Sequence, residues 1–289
     1  MSNITIYPFK TKPYGHQLDA WNISKDLAEY GLFMEMGTGK TKVIIDTFSY
    51  LYDRGYLDNI LIIAPKGVYM NWVNNEIPIH LPSHIKCRIA NWSSSPKKKE
   101  RLALDKLMEP TRDCRILVMN VEAFSTTRGF KFGQNYTINS RCMVVIDEST
   151  TIKNPGAIRT RNILKLAKHA RYRRILTGEP VTRSPLDLYT QCQFLHPALL
   201  GFSSYYSFRN RYAIMINMAK GTRTFKHIIG YQRLEELSES VKSFSYRCKK
   251  DECLDLPEKI YEQRFIELTP EQKKLYKEIS EQAFTELQG

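Results

Sequence analysis

Short, almost unbroken apolar runs alternate along this chain with longer segments whose apolar positions recur every three or four residues. The runs include Leu32-Phe33-Met34, Asn59-Ile60-Leu61-Ile62-Ile63-Ala64, Ile85-Lys86-Cys87-Arg88-Ile89-Ala90, Arg115-Ile116-Leu117-Val118-Met119-Asn120, Cys142-Met143-Val144-Val145-Ile146-Asp147 and Arg174-Ile175-Leu176-Thr177. Runs of this length, bounded by Gly, Pro, Asn or Asp, predict strands buried on both faces of a parallel sheet. Helical spacing predicts helices from His16 with Leu18, Trp21 and Leu27 inward, over 41–52, from Lys66 through Glu76, and from the lysines at 97–99 to Glu109. Strands alternating with helices define an α/β class: a doubly wound, mostly parallel sheet with helices on both faces. In such sheets chemistry gathers at the carboxyl ends of the strands.

The pattern changes after about Gly201. Tyr205, Tyr206, Phe208, Arg209, Arg211 and Tyr212 form an aromatic and basic cluster, read here as packing of a small subdomain, and 234–244 is an amphipathic helix. Residues 259–268 are strand-like, and Ile4-Thr5-Ile6-Tyr7-Pro8-Phe9 near the start reads as extended. Thr269-Pro270-Glu271 opens a last helix, with Thr as N-cap and Pro at the first helical position. The expected organisation is an α/β domain over 1–200, a helical protrusion packed on it over 201–250, and a last strand and helix over 251–289.

The 289 residues carry 43 Lys and Arg against 30 Asp and Glu, a formal charge of +13. That excess attracts polyanions and makes nucleic acid the expected partner. The lysines at 97–99 are read as a solvated face. The six cysteines include no Cys-x-x-Cys pair, which fits a reducing compartment. No run spans a bilayer and no secretory leader opens the chain. A monomer without membrane association is expected, in a cytoplasmic or nucleoid-associated setting, or a host cytoplasm should the branch be viral.

The chemistry centres on Glu35-Met36-Gly37-Thr38-Gly39-Lys40-Thr41, between an apolar run and an amphipathic segment. Strand, glycine-rich turn and helix in that order form a phosphate-binding loop, whose backbone N–H groups and helix dipole suit an anion. Met34 stands where the strict motif has a glycine. Lys40 is placed to reach the phosphates of ATP and Thr41 to hold Mg²⁺. Asp147-Glu148 ends a later strand and supplies the two carboxylate tasks of nucleotide hydrolysis. Asp147 is assigned to the metal and Glu148 to the attacking water. Gln17, just upstream of the loop, is a candidate reader of the adenine edge or else a solvent-facing side chain.

In order along the chain, these segments resemble the Swi/Snf-like ATPases of helicase superfamily two, which move on duplex DNA. The likeness rests on Pro13-Tyr14 with His16-Gln17, the loop at 35–41, Leu61-Ile62-Ile63-Ala64-Pro65 with Asn71-Trp72, Asp147-Glu148 with Ile152-Lys153-Asn154-Pro155, and Leu176-Thr177-Gly178-Glu179-Pro180. Residues 186–189 and 194–197, Tyr246-Arg247-Cys248-Lys249-Lys250-Asp251, Leu256-Pro257, and Gln272 with Tyr276 extend it over nearly the whole chain. Ser149-Thr150 departs from the family's usual Ala-His, Glu179 from a threonine and Arg183 from an asparagine.

The resemblance implies a RecA-like first lobe with a small helical C-terminal extension. It also implies ATP and Mg²⁺ as ligands, with Met36, Gly37, Thr38, Gly39, Lys40 and Thr41 around the phosphates. Lys66, Lys153, Asn154 and Thr177 would face double-stranded DNA or couple it to the nucleotide. A second RecA-like lobe would supply arginines, so this lobe alone is expected to be nearly inactive. Two alternatives stay open: an RNA helicase lobe of the same superfamily, and a non-catalytic basic nucleic-acid-binding module with a vestigial nucleotide loop.

Overall fold

A computed structural model of the chain describes residues 7–220, 223–253 and 262–288. The strands are β1 (Glu29–Met34), β2 (Asn59–Ala64), β3 (Cys87–Asn91), β4 (Cys114–Asn120), β5 (Cys142–Asp147), β6 (Tyr172–Leu176), β7 (Ala213–Lys220), β8 (Arg223–Tyr231) and β9 (Ser245–Cys248). The helices are α1 (Gly15–Ser24), α2 (Lys40–Asp53), α3 (Tyr69–Asn71), α4 (Ile77–His80), α5 (Lys98–Met108), α6 (Thr127–Ile138), α7 (Ile158–Ala167), α8 (Leu188–Leu195), α9 (Tyr205–Tyr212), α10 (Leu234–Lys242), α11 (Lys250–Cys253) and α12 (Pro270–Gln288). Two compact units divide the chain, Met1–Leu254 and Asp255–Gly289.

Seven strands of the first unit form one parallel sheet in the order β3-β4-β2-β5-β6-β1-β9. Side chains alternate across it with period two. Leu61, Ile63, Leu117, Met119, Val144 and Ile146 enter a core with residues of α5, α6, α7 and α8. Their neighbours Ile60, Ile62, Ile116, Val118, Met143 and Val145 enter a second core with residues of α1 and α2. Both faces are dry, which is why these strands read as continuous aliphatic runs.

Arg174, on β6, is fully buried beneath this frame. Its guanidinium donates to the carbonyls of Ser24 at 2.8 Å, Leu27 at 2.6 Å, Ala28 at 2.9 Å and Arg173 at 2.9 Å. The carbonyls of Ser24, Leu27 and Ala28 belong to the turn between α1 and β1, so one side chain of β6 fixes how the chain enters β1. Burial lowers the Arg174 pKa to about 10, which leaves it charged at neutral pH.

Four expectations change. The 201–250 segment is not wholly helical: β7 and β8 form an antiparallel hairpin and β9 adds to the main sheet. Ile214, Ile216 and Met218 alternate with period two, but all are exposed, so the apolar contrast that marks a half-buried strand is weak. The helix expected from Lys66 through Glu76 is interrupted by a π-helical turn, Trp72–Glu76, followed by α4. Leu27 is 44% exposed because α1 ends at Ser24. Residues 262–269 carry no regular structure.

Ile4-Thr5-Ile6, Leu256-Pro257 and residues 259–261 lie outside the described residues. In the second unit Thr269 caps α12 as expected: its Oγ1 accepts from Gln272 N at 3.3 Å, and Gln272 Oε1 accepts from Thr269 N at 3.0 Å.

Candidate active site

β1, β6 and β5 end side by side, because Leu32 pairs with Leu176 and Leu176 with Asp147. Two strand spacings, roughly 10 Å, therefore separate the end of β5 from the end of β1, a span that a phosphate chain and a lysine side chain can bridge. The loop after β1 turns through Gly37 at φ +85° and Gly39 at φ +87°, backbone that only glycine adopts without strain. Met36 is 73% exposed, so only its backbone belongs to the cradle. Thr38 is buried and donates from Oγ1 to Glu35 O at 2.7 Å, which pins the turn. Thr41 is half-buried on the first turn of α2.

Lys40 opens α2, and its ammonium donates to Met34 O at 2.8 Å and Glu35 O at 3.3 Å. Burial lowers its pKa, while the charges of Asp147, Glu148 and Glu35 oppose that shift. The amine and the acidic pair thus share one electrostatic site. Asp147 is held by the Trp72 indole, whose Nε1–H donates to Oδ2 at 2.9 Å. Burial raises the Asp147 pKa; Trp72 and Lys40 pull it back.

Glu148 has left-handed backbone, φ +53° and ψ +67°, a conformation costing a non-glycine residue roughly 1–2 kcal/mol. Its Oε1 accepts from Thr177 Oγ1 at 2.7 Å and Thr150 Oγ1 at 2.9 Å. Ser149 donates to Gln191 Oε1 at 2.6 Å, and Gln191 Nε2 donates to Pro180 O at 2.7 Å and Asp187 O at 2.8 Å. Ser149 and Gln191 therefore join the segment after Asp147-Glu148 to the loop after β6, at the positions where Ser149-Thr150 departs from the family's usual Ala-His.

Gln17 is buried, with both ends of its amide engaged. Oε1 accepts from Tyr14 N at 3.0 Å and Nε2 donates to Thr38 O at 3.0 Å, beside His16 Nε2 at 2.8 Å from the same carbonyl. A side chain on Gly39 would collide with this amide. Gln17 thus braces the phosphate loop, keeping one N–H and one lone pair for a base. Next to it lies a cavity of about 450 Å³ lined by Tyr14, His16, Asp19, Tyr246, Arg247 and Cys253, among others.

Of the four residues expected toward nucleic acid, Lys66 and Asn154 are exposed and Lys153 is half-buried. Asn154 Oδ1 accepts from Gly156 N at 2.9 Å, and Lys153 donates to Thr182 Oγ1 and lies 3.4 Å from Asp187 Oδ2. Thr177 is 0% exposed and presents no surface; its hydroxyl contacts Glu148. Trp72, Ser149 and Gln191 were missed as site residues. An Asn-Trp pair after the second strand was visible, but nothing in it pointed at Asp147.

Among the described residues no cluster of three or more His, Cys, Asp or Glu could hold a metal unaided. Mg²⁺ nevertheless fits, because it binds through one or two protein oxygens plus phosphate and water. Trp72 occupies only one oxygen of Asp147.

The strand order and this site define a RecA-like nucleotide-binding lobe of helicase superfamily two. The chain belongs to the SNF2-related domain family, which it matches over residues 16–289. It is 28% identical over 247 residues to a SWI/SNF-related matrix-associated actin-dependent regulator of chromatin, subfamily A, containing DEAD/H box 1, from Xenopus tropicalis, covering 85% of this chain and 23% of that protein. It is 27% identical over 290 residues to the chromatin-remodeling ATPase INO80 of Schizosaccharomyces pombe, covering 94% of this chain and 17% of that protein. It is 30% identical over 258 residues to an uncharacterized ATP-dependent helicase of Mycoplasma pneumoniae, covering 88% and 22%.

The Sulfolobus solfataricus SWI2/SNF2 ATPase core solved in complex with dsDNA superposes with a TM-score of 0.64 at 26% identity, covering 96% of this chain and 54% of that one. The chain thus spans less than a quarter of these curated relatives and about half of the solved core. Among the described residues no helix is long and apolar enough to cross a membrane.

Proposed function

We propose that this chain is the ATP-binding lobe of a motor that hydrolyses ATP to move on double-stranded DNA. The observation that supports the reading is the register of β1, β6 and β5, whose carboxyl ends put the glycine-rich loop with Lys40 and the pair Asp147-Glu148 on one edge of the sheet. In it, the N–H groups of residues 36–39 and the Lys40 ammonium take the phosphates, and the base occupies the cavity beside Gln17. Thr41 and Asp147 hold the cation. Glu148, fixed by Thr177, orients the attacking water and receives its proton. Bound Mg²⁺ would neutralise phosphate charge as it develops.

Duplex DNA is favoured as the track by the +13 charge, by family membership and by the likeness to a core solved with dsDNA. Lys66, Lys153 and Asn154 sit on loops after β2 and β5, on the same edge of the sheet as the nucleotide site. Thr177 is assigned to coupling. Efficient turnover is proposed to need arginines from a second RecA-like lobe, worth on the order of a thousandfold or more.

Calorimetric titration with ATP and Mg²⁺ tests the pocket; no binding sinks the reading. ATPase stimulation by duplex DNA, single strands and structured RNA then tests the track. Preferential stimulation by RNA would replace DNA in this assignment.

A further inference from the structure

β9 runs parallel to β1 with Cys248 in register with Met34, and Glu35 N donates to Cys248 O at 2.9 Å. Because the strands point the same way, the residues after β9 emerge beside the start of the phosphate loop. Lys250 is two residues past that register point. Its backbone N–H donates to Glu35 Oε2 at 2.9 Å, which fixes its Cα over the loop. Its side chain then lies across Gly37: a Cβ built on that glycine would meet Lys250 Cε at 3.3 Å and Nζ at 3.5 Å.

Among the described residues no carboxylate or carbonyl accepts a hydrogen bond from the Lys250 ammonium, although the lysine is half-buried. Its charge acts on Lys40 and lowers the pKa of that amine further. Two ammonium groups over one glycine turn repel each other until an anion comes between them. The bare side chain of Gly37 leaves the path from Lys250 to that anion open.

We propose that Lys250 is a second phosphate-binding lysine, gripping the phosphate chain of the nucleotide from over Gly37 alongside Lys40. The proposal rests on the nucleotide reading above. It gives the β9–α11 segment a direct part in the site, since Tyr246, Arg247 and Cys253 of that segment already line the neighbouring cavity. The phosphate loop pattern could not announce it, because Lys250 is 210 residues away in sequence from Lys40.

The test is the affinity of the 289-residue chain for a fluorescent ATP analogue with Mg²⁺, with ATP and adenosine as competitors. Lys250→Met should weaken the triphosphate about tenfold or more, the scale of one lost charge-assisted hydrogen bond. Adenosine affinity should stay within about twofold, and Lys250→Arg should retain most of the triphosphate affinity, because each expected change follows the charge. Lys250→Glu should lose more than Lys250→Met and provides a second variant should the first fail to fold.

Triphosphate binding by Lys250→Met within about twofold of the parent, while Lys40→Met loses it, would overturn the proposal and leave the nucleotide reading standing. Equal loss of adenosine and ATP would also overturn it, since that marks a structural effect. Failure of the unaltered chain to bind any nucleotide would overturn the nucleotide reading itself.

Discussion

The Thr177 hydroxyl donates to Glu148 Oε1 at 2.7 Å, joining the end of β6 to the residue after β5. Glu148 holds left-handed backbone at this point, so its carboxylate is aimed by a strained turn and fixed by two hydroxyls. Strain of this kind persists where surrounding contacts over-determine it. Thr177→Val keeps the shape and removes the donor. It should leave nucleotide affinity within about twofold and, in a form of the protein that turns ATP over, lower turnover by about tenfold or more, the worth of a hydrogen bond to a charged group.

Lys40→Ala should abolish or strongly weaken ATP binding, whereas Glu148→Gln should bind ATP normally and not turn it over. The pair separates holding the phosphates from activating water, and it is read by titration and by steady-state hydrolysis in a form of the protein that turns ATP over. Normal hydrolysis by Glu148→Gln would remove that carboxylate from the chemistry.

Trp72→Phe tests the support of the metal carboxylate. The indole N–H stabilises ionised Asp147, so losing it raises an already elevated pKa. Protonation then sets in at higher pH on the way down, and the acidic limb of Mg²⁺-dependent nucleotide binding should move to higher pH. A pH series of affinities measures this, and an unmoved limb would detach Trp72 from the site.

Asp147→Asn should raise the thermal midpoint of the nucleotide-free protein at neutral pH. Burial lifts the folded-state pKa of Asp147 above its unfolded value. The folded state then binds the proton more tightly, so the stability this group contributes is present below the unfolded pKa and lost as pH rises through the folded one. An amide carries no such penalty and still accepts from Trp72. The gain should shrink as pH falls, and calorimetric scans across the acid range would show it.

Arg174→Leu should destabilise the fold without touching the site's charges. Four backbone carbonyls each lose a donor, Ser24 O and Ala28 O keeping one backbone N–H apiece, and the α1–β1 turn loses its clamp. Taking the donor from several buried carbonyls costs on the order of 3–5 kcal/mol in all, about a 10 °C fall in melting temperature for a unit of this size. A denaturant midpoint within error of the parent would refute the clamp.

The sequence by itself determined the sheet strands other than β9, the burial of the central ones on both faces, and the chemical identities at their ends. Runs such as Asn59-Ile60-Leu61-Ile62-Ile63-Ala64 carry a local signal, because a strand covered on both sides has no polar face to show. The glycines at 37 and 39, Lys40 and Asp147-Glu148 likewise announce their chemistry over a few adjacent residues.

Tertiary structure alone decided strand order and everything that depends on it. That β6 lies between β1 and β5 brings Thr177 to Glu148; that β9 pairs with β1 brings Lys250 to Gly37; the π turn after α3 swings Trp72 onto Asp147. Each is a contact between residues far apart in the chain, set by packing over the whole sheet. Hydrophobic periodicity is a local property and holds no record of which strand lies next to which.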